Sequence, residues 1–192
     1  MIPNTDYPEK ATSMMDLCSR LLTAPDRVTA SLAELTAEDM QQHLVAGKMT
    51  IAEQVEHIAL VSIGWSNILF EALDGYYITP RITFPAWQEE REQRARASVT
   101  EALRAFQYQN RDIAAFLNSL PPDDFLRPFR IVAFLTEPFQ IGESVNWGLV
   151  IHADWHLAAI HRLRLLLGKP LVWMDPFLER YPKADPARTV SL

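Results

Sequence analysis

The chain has 192 residues, 48% apolar and 22% charged, a size and balance that suit one globular domain with a sizeable core. A net charge of −6 argues against nucleic acid or an anionic membrane as the main partner, because phosphate recognition needs a basic face. The single cysteine, Cys18, excludes an internal disulfide and suits a reducing cytoplasm; MIPNTDYPEK lacks the basic start and apolar run of a signal peptide, and no apolar run approaches the ~20 residues of a membrane span.

Few glycines and few alternating segments favour helices over a sheet, and four stretches carry a seven-residue apolar rhythm. The first places Met14, Cys18, Leu21, Pro25, Val28, Leu32 and Leu35 on one face, with a kink or break expected at Pro25. The second runs from Thr50 to about Leu73, with Ile51, Val55, Ile58, Ser62, Trp65 and Leu69 on one side and a Thr50/Glu53 capping box at its start. A connection follows in which Glu89 to Arg96 predicts a short solvated helix. The third stretch shows Val99, Leu103, Phe106, Asn110, Ile113, Leu117 and Leu120, opened by a Ser98/Glu101 capping box and ended by Pro121-Pro122.

Residues 121–142, rich in Pro and Phe, are expected to pack over one end of the molecule. The fourth stretch shows Val145, Leu149, His152, His156, Ala159, Leu163 and Leu166, closed by Gly168 and Pro170. The tail after Met174 is expected to be irregular. The expected architecture is all-α: a four-helix bundle with long connections, in a single domain over residues 1–192 whose core is about 13–168.

The fourth stretch carries the chemistry. His152 and His156 occupy successive positions of an otherwise apolar seam, and burying two unpartnered imidazoles would cost about 1–3 kcal/mol each. A spacing of four puts both rings on one side of a helix, the geometry of a metal clamp. The second helix offers a third ligand, His57, near the edge of its apolar stripe and at comparable depth. Three neutral histidines would leave a metal position open to water or substrate, as catalytic sites do. The expected ion is zinc or nickel, since imidazole suits both.

His161 is about 140° around the helix from His156 and about 180° from His152, so it is expected to point away as a solvated side chain beside Arg162 and Arg164. His43 falls in a loop. Glu53 lies one turn from His57 and is a candidate base, although its capping box is the more natural use; Gln54 and Asn110 are polar groups near the seam that could orient a substrate. Other motifs fail. HADWH has Ala153 where a zinc protease carries its glutamate, no E-x-x-H occurs, and Gly47-Lys48 is not a phosphate loop. The arginines at 91, 94 and 96 alternate with Glu89, Glu90 and Glu92 and make a mixed face, not a basic patch.

The segments MTIAEQVEHIALV and HADWHLAAIHRLRLLLG, with the opening LLTAPDRVTASLAELTAEDM, resemble the DinB/YfiT-like superfamily over most of residues 13–168. The resemblance implies a four-helix bundle with a divalent metal on a histidine triad, here His57, His152 and His156. Characterised relatives use the metal to activate a low-molecular-weight thiol such as bacillithiol or mycothiol, and others are regarded as metal-dependent hydrolases. The expected partner is a small-molecule substrate, with no nucleic acid and no membrane, and a homodimer is compatible with the sequence.

Overall fold

The structure, a computed structural model, describes residues 13–72, 86–121, 123, 128–129 and 139–171. It is built of helices: α1 Met14–Ser31, α2 Ala37–Gln41, α3 Ile51–Ala72, α4 Ala86–Ala97, α5 Val99–Ser119, α6 Ile141–Val145 and α7 His152–Leu166. A π-helical turn, Asn146–Ile151, joins α6 to α7 with helical backbone at both junctions, so residues 141–166 form one continuous helix. A two-residue antiparallel ladder, Pro128–Phe129 (β1) with Phe139–Gln140 (β2), precedes α6. Among the described residues no helix is long and apolar enough to cross a membrane.

The local signals explain the helix starts. Thr50 Oγ1 accepts the backbone N–H of Glu53 at 3.1 Å, and the Glu53 carboxylate accepts that of Thr50 at 2.7 Å, so the capping box forms as expected. Ser98 Oγ caps α5 by accepting the Glu101 N–H. The predicted solvated helix exists as α4. The short α2, with its own Thr36/Asp39 box, was not anticipated, because five residues carry too little periodicity to register.

α1 does not break at Pro25; it runs on to Ser31. Proline has no N–H to give to the carbonyl four residues back, which strands the Leu21 oxygen. Asn110 Nδ2, buried on α5, donates to that oxygen at 3.0 Å and supplies the missing partner. The expected continuation to Leu35 fails instead at the helix end, where Glu34 takes a left-handed φ of 63°. The predicted cover over residues 121–142 falls largely outside the described residues, and the tail after Met174 wholly so.

α1 packs on α5 and α7, and α3 packs on the same two, which gives the order α1, α5, α3, α7 around the bundle. One core layer joins Leu17 and Leu21 of α1 to Leu69 of α3, Ile113 and Leu117 of α5, and Val145 and Leu149. The other joins Val28 to Ile51, Val55 and Ile58, Phe106, and Leu157 and Ile160. The start of α1 therefore meets the ends of α3 and α5 and the start of the last helix. α3 and α5 are parallel neighbours, and so are α1 and α7. Parallel neighbours need a connection that returns along the bundle, which is why the stretch between α3 and α5 is long.

Candidate metal centre

α3 and α7 are antiparallel neighbours, and their facing edges bring together the three histidines. The His57 ring centroid lies 5.2 Å from that of His152 and 4.7 Å from that of His156, and the last two are 4.5 Å apart. One ring nitrogen from each lies within 4.8 Å of the other two, and among the described residues no carboxylate or thiol joins the group. Each ring can offer one nitrogen to a shared ion.

The rings are half-buried, and burial sets their charge state. Desolvation lowers the pKa of His57, against a smaller upward pull from the Glu56 carboxylate. Desolvation, with help from His57, brings His152 down to about 4. Desolvation, with His152 and His57, brings His156 down to about 3. All three are neutral at pH 7, the state in which imidazole binds metal.

Two hydrogen-bonding facts fit a cation. His156 Nδ1 pairs with Gln54 Oε1; a carbonyl oxygen only accepts, so the proton sits on Nδ1 and Nε2 keeps its lone pair. His152 Nε2 is buried without a hydrogen-bond partner, as expected of a nitrogen reserved for an ion. Gln54, read in the sequence as a group for orienting substrate, therefore orients a histidine. Glu53 is held in its capping box, and Asn110 is held in the core between Leu21 and Ser62. His43 is exposed in the loop before α3 and does not join the group.

Two sequence-based expectations need correction. His161 is buried, at 2% exposure, while Leu166, expected on the inward seam, is 58% exposed. The π-turn is the cause, since its extra residue shifts the inward face by one position. Val145 points inward before it and Leu149 within it, and Ala153, Leu157 and Ile160 after it, where a regular heptad would place residues 152, 156 and 159. The same shift carries Arg164 fully inside, where its guanidinium donates to the Ser31, Ala33 and Pro170 carbonyls. The histidines of the triad consequently sit at the edge of the buried face, not at its centre.

Asp154, on another side of α7, is also buried. It pairs with Arg27 at 2.7 Å and Arg20 at 3.6 Å, and Arg20 donates to Asn146 in the π-turn. This cluster ties α1 to the last helix. Periodicity carries no sign of it, because its members are spread over more than a hundred residues.

The facing helices of this four-helix bundle present three histidines positioned to bind a metal ion. The DinB superfamily model matches residues 20–163, and the chain belongs to that superfamily. Among solved structures it is similar to YfiT from Bacillus subtilis, described as a probable metal-dependent hydrolase with an unusual four-helix bundle topology: TM-score 0.64, 22% identity, over 85% of this chain and 94% of that one. It is also similar to an uncharacterized protein from Clostridium difficile 630 (TM-score 0.59, 14% identity, 80% and 96% covered). A protein from Streptococcus pneumoniae matches with TM-score 0.61 at 14% identity, over 83% and 94%. At these identities the likeness speaks for the fold. No curated protein matches the chain.

Proposed function

We propose that the protein holds one divalent cation, zinc or nickel, on His57, His152 and His156, and that it activates a low-molecular-weight thiol, such as bacillithiol or mycothiol, for transfer to a small electrophile. The observation that carries this reading is the charge of the donor set: three neutral imidazoles, with a neutral Gln54 behind one of them, and no carboxylate among the described residues of the group. Such a set leaves the full charge of a dication to act on whatever occupies the open position. When bound, the cation would lower the pKa of an acid there and supply a nucleophile.

The chain's own residues do the rest. His57 and the His152/His156 pair converge from two helices, and Gln54 fixes the ring of His156. The two carboxylates next to His57 on α3 are both engaged: Glu53 is committed to the α3 cap, and Glu56 accepts from Arg96 at 3.0 Å. A thiol that loses its proton on binding brings its own nucleophile and needs no general base. Cys18 is not that nucleophile. It is buried, its thiol is directed at the Ala114 carbonyl and Asn118, and burial raises its pKa.

Hydrolysis is the second reading, supported by the description of YfiT. The test offers metal-loaded protein monochlorobimane with bacillithiol, mycothiol, glutathione or coenzyme A in turn. Acceleration with one thiol, abolished by chelation and by His57→Ala, is expected. Inertness with every thiol, beside metal-dependent cleavage of simple esters or amides, would move the assignment to a hydrolase. Inertness in both assays would leave a metal-binding protein without turnover.

A further inference from the structure

Gly148 lies in the π-turn, and the Trp65 indole of α3 sits directly on it. A Cβ added at 148 would overlap Trp65 Cζ2 and Cε2 and come 2.6 Å from Nε1. These separations are far inside van der Waals contact, and the indole is a rigid ring packed against the first core layer. Only glycine allows this approach of backbone to ring.

The contact lies on the seam that holds the histidines. In an antiparallel helix pair, a step forward on one helix is a step back on the other. Trp65 is eight residues beyond His57 on α3, and Gly148 is eight residues before His156. The Trp65–Gly148 and His57–His156 contacts are thus two rungs of one ladder between the same pair of helices.

We propose that Trp65, seated on Gly148, is a positioning residue for the histidine triad: it holds the π-turn in register against α3 and so sets the separation of His57 from His152 and His156. This inference rests on the reading of the triad as a metal centre. Two consequences of the contact matter to such a centre. The π-turn moves His152 and His156 off the buried seam, where Ala153 and Leu157 lie in their stead, to a half-buried edge. The close approach also leaves α3 and the π-turn little freedom to slide, and a metal site tolerates ligand displacements of only a few tenths of an ångström, ~0.2 Å.

The test compares Co(II) affinity, by chelator competition, and the visible spectrum of the Co(II) protein in the full chain and its variants. Gly148→Ala should weaken binding about tenfold or more, in the range seen when metal-orienting groups are lost, and should alter the spectrum. The sign is informative, because Gly→Ala inside an ordinary helix stabilises it. Adding Trp65→Leu should make room for the methyl group and bring affinity within about threefold of Trp65→Leu alone, the coupling expected of residues in contact. Wild-type affinity and spectrum in Gly148→Ala would overturn the proposal. Should that variant fail to fold, Trp65→Leu alone carries the test: a changed Co(II) spectrum with weaker binding is expected, and an unchanged spectrum and affinity would overturn the proposal. A wild-type chain that takes up no Co(II) would defeat the metal-centre reading itself.

Discussion

Gln54 accepts a hydrogen bond from His156 Nδ1 across the α3–α7 seam and so fixes which nitrogen of that ring faces the other two histidines. Removing the acceptor should free the ring without emptying the core. Gln54→Leu is expected to keep its helical signal and lose about 10–100-fold in metal affinity, the usual cost of losing a group that orients a ligand. Gln54→Glu, which keeps an acceptor, should lose less. Isothermal titration with Zn(II) makes the comparison, and equal affinity in Gln54→Leu and wild type would show that the contact does not act on the metal.

The Asn110–Leu21 contact predicts a rescue. Asn110→Ala leaves a buried carbonyl unpaired and should cost about 1–3 kcal/mol. For a domain of this size that corresponds to roughly 2–4 °C in Tm per kcal/mol. Pro25→Ala restores an N–H to the helix, so in the Asn110→Ala background it should recover part of the loss. Thermal melts of both single variants and the double variant test this. Purely additive effects would mean that the side chain is not standing in for the missing proline donor.

His161 and His156 should separate two properties. His161 is buried in the core, away from the triad, so His161→Ala should lower Tm and leave metal stoichiometry unchanged. His156→Ala should abolish stoichiometric binding. Comparable metal loss in both variants, by mass spectrometry, would contradict the placement of the triad.

The capping box of α3, the Ser98 cap of α5, and the spacing that pairs His152 with His156 could be recognised in the sequence because each is a relation between residues a turn apart. The convergence of His57 followed from matching depth on two helices. What could not be recognised were relations across the bundle. The π-turn has no mark in the periodicity, and a regular seven-residue rhythm laid over residues 145–166 therefore put Leu166 inside and His161 outside. The burial of Arg164 had no sign in the sequence because its partners are backbone carbonyls, which have no signature there. Pro25 suggested a break because its remedy, Asn110, lies 85 positions away in the chain.

The pH dependence follows from the lowered histidine pKa values. In the metal-free protein His152 and His156 stay neutral down to about 4 and about 3, whereas in the unfolded chain they protonate near ~6.5. The unfolded state thus binds more protons as pH falls below ~6.5, and apo stability should decline steadily from there towards pH 4. Thermal melts between pH 7.5 and 4 on wild type and a His152→Ala/His156→Ala variant (roughly half-unit steps suffice) should show the decline weakened in the variant. Parallel curves would mean that these rings are not the groups responsible.

The claim that His57, His152 and His156 form a metal centre is tested most directly by elemental analysis of protein purified without a nickel column. About one divalent ion per chain is expected in wild type, zinc or nickel, with loss of nearly all of it in His152→Ala. Full metal content in His152→Ala would contradict the assignment.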